Sequence, residues 1–313
     1  MTNGRDIDDD EQGDDFEQEL RGLFAQHMRP ASMATVKLRE GSVVSDRFEL
    51  LERLGGGSMG MIWRADDLDT GQTVALKIMR PSIAADPTLR HRFKREARHA
   101  AALQHPNIVS VIDSGQDGGV LYLAMEYVQG EPLSDVIFRG ALGWPRAGEI
   151  GVQVLAALRC AHRHSRCIIH RDIKPSNVFL VGEPGQEQAR VLDFGIARGM
   201  MEESLGTQGP IGSPLYMAPE IWLDQELGPE ADVYSFGCTM YEMLVGRPPF
   251  EGGNIMILGR QHLQEAPSVP QTSAPQPVAR WVERCMAKDR SKRPADAGVA
   301  LEELSALLKR ETP

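Results

Sequence analysis

The sequence predicts an α+β chain in which strands come first and helices follow. Three observations carry that prediction. Phe48 to Leu54 reads as a strand running into glycines, Ile62 to Ala65 resumes it beyond them, and Thr73 to Met79 alternates as a further strand. Beyond Gly130 the strand signal fades and helical patterns take over. The longest of these, Pro145 to His164, places Ile150, Val154, Leu155 and Leu158 at helical spacing. A chain of 313 residues can hold one bilobal domain or two small ones.

Composition excludes several classes. A hydrophobic fraction of 42% with 25% charged residues is that of a soluble globular protein. The formal net charge is −10, and much of the excess lies in the first twenty residues, so no basic face for nucleic acid is expected. No apolar run reaches the roughly 20 residues of a membrane span, and the acidic start is not a signal peptide. Cys160, Cys167, Cys238 and Cys285 form no Cys-x-x-Cys pair, so reduced thiols, mostly core filling, in a cytoplasmic protein are expected. His162, His164 and His170 lie near Cys160 and Cys167, but their spacing fits no zinc template.

Residues 1–40 read as an acidic tail. Residues 1–15 hold too little apolar surface to order themselves. Phe16, Leu20, Leu23 and Phe24 then recur at helical spacing, so a short amphipathic helix is expected over 16–28, followed by a linker from Pro30 to Gly41.

The run Gly55-Gly56-Gly57-Ser58-Met59-Gly60 sits between two strands. A glycine turn in that setting lets backbone N–H groups approach a polyphosphate with no side chain in the way. A strand rather than a helix follows it, and no Gly-Lys-Ser/Thr appears, which excludes a Rossmann fingerprint and a Walker loop. Alone, such a run is more often a flexible turn. Lys77 lies inside an apolar strand and needs an anionic partner. Glu96, on a helix expected over Leu89 to Leu103 with Phe93, Ala97, Ala100 and Ala101 facing inward, is the predicted partner. The alternative is two solvated charges.

Ile169 to Asn177 reads Ile-His-Arg-Asp-Ile-Lys-Pro-Ser-Asn. Pro175 keeps Asp172 and Asn177 on a loop rather than in a helix interior. A carboxylate can accept a hydroxyl proton, an Asn oxygen can ligate a hard cation, and Lys174 can neutralise a phosphoryl group. An Asx/Pro turn with solvated charges is the plainer reading of Asp172 to Pro175 alone. Asp193-Phe194-Gly195 follows Asn177, with short strands expected at Val178 to Leu180 and Ala189 to Leu192.

Together the glycine loop, Ala75-Leu76-Lys77, the Asp172 loop and Asp193-Phe194-Gly195 resemble the protein-kinase signature set over roughly residues 47 to 305. Arg47-Phe48-Glu49-Leu50, Phe93-Lys94-Arg95-Glu96-Ala97 and Ile168 to Asn177 look most like eukaryotic-like (Hanks-type) bacterial serine/threonine kinases. The resemblance implies a bilobal fold. The N-lobe, about 46 to 127, would be an antiparallel sheet plus one helix, and the C-lobe, about 130 to 309, mainly helical, with ATP in the cleft. It implies an ATP-binding set of Leu54, Gly55, Gly56, Gly57, Ser58, Met59, Gly60, Ile62, Ala75, Lys77, Glu96, Met125, Glu126 and Val128. Met125 would be the gatekeeper, unless it simply fills the core, and the backbone of Glu126 and Val128 would meet the adenine edge. Asp172 and Lys174 would be catalytic, and Asn177 and Asp193 would hold Mg²⁺ or Mn²⁺. His170 and Phe194 are expected to pack rather than react.

Lysine two residues after Asp172 implies transfer to Ser or Thr of protein substrates. Ser213 and Glu220, in the run Gly212 to Glu220, match the peptide-substrate platform. Glu220 is expected to pair with Arg293, and Asp232 to brace the catalytic loop. Arg171 invites a phosphate on the activation segment, with Thr207 first and Ser204 second, added by autophosphorylation in a transient homodimer; the alternative is a constitutively ordered loop with Arg171 bonded to carbonyls. Many relatives carry a membrane span and a sensor after the kinase domain. This chain stops soon after a helix expected over Asp296 to Lys309, so it is either a soluble protein or one part of a longer one. The rival readings are a pseudokinase and a small-molecule phosphotransferase. The complete set of Lys77, Glu96, Asp172, Lys174, Asn177 and Asp193 argues against the first, and Ala218-Pro219-Glu220 against the second.

Overall fold

A computed structural model describes residues 38–57, 60–194, 214–270 and 273–311. The expected amphipathic helix over 16–28 lies outside them.

Six strands form an antiparallel sheet: β1 (Val43–Val44), β2 (Phe48–Gly57), β3 (Gly60–Asp67), β4 (Gln72–Met79), β5 (Val111–Asp117) and β6 (Val120–Glu126), in the order β1-β2-β3-β4-β6-β5. The alternation read around Lys77 is real and sorts side chains onto two faces. Val74, Leu76 and Ile78 join Phe48, Leu50, Trp63 and Tyr122 in one apolar cluster. Ala75 and Met79 join Leu121, Leu123 and Met125 on the other face. Lys77 pairs in register with Ile62 and Leu123, which puts the lysine on this second face.

Two helices interrupt the sheet between β4 and β5. The short α1 (Pro81–Ala85) was not expected, and it begins at a proline that suits a first helical position. The second, α2 (Pro87–Ala101), starts where Asp86 accepts bonds from the Thr88 and Leu89 N–H groups at 2.7 and 3.1 Å. Its buried Phe93, Ala97 and Ala100 cover the second face of the sheet. Strand β5 begins only at Val111, because Ile108 and Val109 bridge to Val191 instead.

After β7 (Glu131–Pro132) helices dominate: α3 (Leu133–Phe138), α4 (Trp144–His162), α5 (Pro219–Trp222), α6 (Pro229–Val245), α7 (Ile255–Gln264), α8 (Gln276–Cys285) and α9 (Ala297–Glu311). The predicted core positions of α4, namely Ile150, Val154, Leu155 and Leu158, are all buried. The central α6 is buried on nearly every side and ends at Gly246, whose φ of +83° suits a left-handed cap. Strands β8 (Val178–Val181) and β9 (Gln188–Val191) complete a three-stranded sheet with β7. The result is bilobal, a sheet lobe above a helical lobe. None of the helices among the described residues is long and apolar enough to cross a membrane. Cys238 and Cys285 are core residues as expected, but Cys167 is exposed and Cys160 only partly buried, a correction to the core-filling expectation. Cys167 falls in the turn after α4, at a φ of +46°, where no core surrounds it.

Candidate active site

The loop between α4 and β8 is held from below by one carboxylate. Asp232, fully buried on α6, accepts the backbone N–H of His170 and of Arg171, each at 2.7 Å. It also accepts Nε2–H of His162 at 2.9 Å, while His162 Nδ1 accepts the Ala297 N–H at the start of α9. Burial works against the charge, but these donors outweigh it and hold the Asp232 carboxyl below the ordinary range. Arg171 has a φ of +68°, a left-handed conformation that a residue with a Cβ adopts only when its surroundings enforce it. Asp232 enforces it, and the reversed backbone presents Asp172 upward.

His170 is a second tie. It is fully buried and packs edge-on to Phe194, with ring centroids 4.6 Å apart. Its Nε2–H donates to the Leu192 carbonyl at 2.7 Å, and its Nδ1 accepts the Asp172 N–H at 3.3 Å. One imidazole therefore joins the Asp172 loop to the segment that carries Asp193. This is the packing role expected for His170 and Phe194.

Asp172 Oδ2 receives Lys174 Nζ at 2.7 Å and Asn177 Nδ2 at 3.0 Å. Asn177 Nδ2 also donates to the Asp172 carbonyl at 2.8 Å. With both amide hydrogens so directed, the Asn177 side-chain oxygen is the group left for a cation. Asn177 is tied to the Asp193 segment as well, since its carbonyl accepts the Leu192 N–H at 2.9 Å. Asp193 has a φ of +60°, and its Oδ2 binds Lys77 Nζ at 2.6 Å. Its Oδ1 is buried with no hydrogen-bond partner among the described residues. Burial pushes the Asp193 carboxyl up, but the Lys77 ammonium, with His170 and Lys174, holds it below the usual range. An orphaned carboxylate oxygen and an amide oxygen on adjoining backbone make an oxygen donor set that fits Mg²⁺.

One sequence expectation is corrected. Lys77 does not pair with Glu96. Glu96 Oε1 takes Arg95 Nε at 2.9 Å, and Oε2 lies 3.7 Å from His99 Nδ1. Arg95 precedes Glu96 on the same helix, so its fork reaches the carboxylate with no movement of α2. Lys77 instead finds Asp193, with both side chains largely buried.

The remaining expected nucleotide-site residues divide by position. Ile62 stands opposite Lys77, and Ala75 opposite Met125, on one face of the sheet. Met125 is buried in that face, and Val128 packs against it. The Glu126 N–H is used on the Ser110 carbonyl at 2.9 Å. Leu54 is exposed and Gly55 partly so, at the far end of β2. Gly60 must be glycine, because a Cβ there would lie 2.1 Å from the Ile78 carbonyl oxygen. Ser58, Met59, Gly195, Ser204, Thr207 and Ser213 lie outside the described residues.

Beyond the loop, Arg293 and Glu220 form the expected pair, a bidentate bridge of 2.7 and 2.9 Å with both side chains buried. Two contacts had no sequence signal. Arg190 on β9 ion-pairs with Glu126 and bonds the Ile108 carbonyl at 3.2 Å, tying the end of β6 to the helical lobe. Tyr216 donates to Glu242 at 2.6 Å. The histidines and cysteines weighed for zinc do not gather, and no cluster of three or more His, Cys, Asp or Glu able to hold a metal occurs among the described residues.

Residues 48–304 match the family described as the protein kinase domain. The chain is 38% identical to a probable serine/threonine-protein kinase PknB of Bifidobacterium longum, over 82% of this chain and 39% of that one. It is 40% identical to the serine/threonine-protein kinase PknB of Mycolicibacterium smegmatis, over 72% of this chain and 37% of that one. It therefore spans well under half the length of these relatives. The kinase domain of Mycobacterium tuberculosis PknI superposes with a TM-score of 0.68 at 26% identity, covering 86% of this chain and 99% of that one.

Proposed function

Because the chain belongs to the protein kinase family, in its eukaryotic-like bacterial branch, we propose that it transfers the γ-phosphoryl group of ATP to serine or threonine hydroxyls of proteins. The observation that carries this reading is the placement of two hydrogen-bonded groups, Asp172 with Lys174 and Asn177, and Asp193 with Lys77, on loops tied together by the Leu192 N–H to the Asn177 carbonyl. Phosphoryl transfer asks mainly for positioning and charge neutralisation, which is what such a cluster supplies.

Each residue has a defined task. Asp172 Oδ2 is held by Lys174 and Asn177, so Oδ1 meets the substrate hydroxyl and accepts its proton as the O–P bond forms. Lys174, already beside that carboxylate, neutralises the transferring group. Asp193 Oδ1 and the Asn177 oxygen would hold Mg²⁺, or Mn²⁺ in its place, which would supply charge neutralisation to the phosphates. Lys77 carries positive charge to the phosphates from the wall of β4. Glu126 has spent its N–H, so its carbonyl is what it offers an adenine amino group, and the Val128 N–H is the complementary donor. Glu220, fixed by Arg293, anchors the segment on which a peptide lies. Lysine at 174 favours Ser/Thr over Tyr, and Thr207, then Ser204, are the proposed phosphorylation positions, with Arg171 as the expected partner of the phosphate. Protein substrates, a transient homodimer for that reaction and a cytoplasmic location complete the reading.

The test is transfer from γ-labelled ATP to a protein that carries Ser, Thr and Tyr, followed by phosphoamino-acid analysis. Label on Ser and Thr is the expected result. Label on Tyr alone, or efficient transfer to small alcohols or aminoglycosides and none to protein, contradicts it.

A further inference from the structure

Opposite the face of α2 that carries Glu96 lies a groove unconnected with the phosphate site. It is a cavity of about 830 Å³ lined by His91, Lys94 and Arg98 of α2, by Ser114, Gly115 and Gln116 of β5, and by the glycine turn that follows. Three features define what it could hold. First, His91, Lys94 and Arg98 stand three and four residues apart, hence on one helix face, and all three are exposed. Among the described residues no acidic side chain pairs with them. Arg98 Nε is steered by the Lys94 carbonyl at 3.1 Å. In a chain with a net charge of −10, this is a local reversal of sign.

Second, β5 is the edge of the sheet, hydrogen-bonded to β6 alone. Apart from that ladder and a bond from the Ser114 N–H to the Asp113 carboxylate, the backbone of residues 114–117 makes no hydrogen bond among the described residues. An edge with open backbone groups is a template for an added extended segment. The register places Ser114 beside Leu123 and Gln116 beside Leu121. Those leucines belong to the cluster under α2, so Ser114 and Gln116 form a polar floor to the groove. Third, the groove ends at Gly118 and Gly119, where a side chain would meet nothing, so this end is open.

The spacings agree. Lys94 and Arg98 are separated by about 6 Å of helix rise. Alternate side chains of a strand are separated by about 6.5 Å. An extended chain with acidic residues at every second position would place one carboxylate on each cation while its backbone met β5.

We propose that the groove between α2 and the β5 edge is a docking site for an extended acidic peptide segment of a partner protein. The basic wall selects the charge and the strand edge selects the extended backbone. No aromatic platform for stacking bases lines the groove, which separates this site from one for single-stranded nucleic acid.

The test uses the full chain and fluorescence anisotropy of a labelled peptide in which glutamate and valine alternate. Saturable binding is expected, weakened by salt and by at least about tenfold in K94E/R98E. The neutral variant K94Q/R98Q is expected to fall between the two, and both variants should retain transfer to an uncharged peptide substrate, which reports intact folding. N-methylation of the labelled peptide at alternate amides should also weaken binding. Absent binding, an affinity indifferent to charge reversal, or no effect of N-methylation in either register overturns the proposal. So does equal affinity for a sulfated dextran, which would make the wall a general polyanion surface.

Discussion

Arg293→Ala should be among the most damaging single substitutions away from the phosphate site. Arg293 is fully buried, and its guanidinium makes both bonds to Glu220. It also bonds the carbonyls of Ala287, Glu230 and Lys288, and its guanidinium carbon lies 4.9 Å from the centre of the Tyr234 ring. Truncation would leave the Glu220 carboxylate, 2% exposed, without a counter-charge. Breaking one side of a buried pair costs about 3–5 kcal/mol, a large part of a typical domain's stability. Glu220→Ala should cost less, about 2–3 kcal/mol, because the guanidinium keeps its three carbonyls. The double substitution should cost about the same as Arg293→Ala alone, since the penalty of the stranded carboxylate is gone, which gives a coupling of about 2 kcal/mol or more. Urea unfolding of the four proteins measures all these terms. Additive effects, or an Arg293→Ala cost below about 1 kcal/mol, would refute the claim that this pair pins the Pro214 to Trp222 segment to the helical lobe.

Two further outcomes follow from other parts of the structure. His262 is fully buried against Tyr234, Trp222 and Phe250. Burial, with Lys288 beside it, lowers its pKa to about 3. The folded chain then resists a proton that the unfolded chain accepts near pH 6.5, so its stability is fully present above that pH and lost as pH falls. About 2 kcal/mol should disappear between pH 8 and pH 5, and His262→Gln should remove that part of the slope in urea melts at the two pH values. Separately, Arg95→Ala should release Glu96 toward Lys77. The Arg95 side chain is 43% exposed, so the competing pair is weak, and initial rates at saturating ATP should rise by about two- to fivefold. Unchanged or reduced rates would show that Arg95 does not compete for Glu96.

Much of this was legible in the residues. The periodicity of Pro145 to His164 located the long helix, because apolar spacing is a local signal. The alternation around Lys77 predicted a strand for the same reason. Resemblance located the Asp232 brace and the Arg293–Glu220 pair across 61 and 73 residues. Local pattern could not supply such pairings, because nothing in a spacing names a partner so far away. The same limit explains the error at Lys77. A lysine in an apolar strand demands an anion, but the demand does not rank Glu96 against Asp193, and the neighbouring Arg95 had already claimed the former. The tie between Arg190 and Glu126 was invisible because an arginine in a short strand carries no mark of its target. The basic face of α2 stood in plain view, but its meaning depends on β5 being an edge, which only the sheet order reveals.

The measurement that bears most directly on the central claim compares wild type with Asp172→Asn in single-turnover transfer from ATP to a serine peptide, alongside ATP affinity. Asn keeps the shape and the contact with Lys174 but cannot take a proton. If Asp172 takes the proton, ATP affinity stays within about threefold of wild type and the transfer rate falls by about 10²–10⁴-fold. Transfer at the wild-type rate would contradict it, and so would a loss confined to ATP binding.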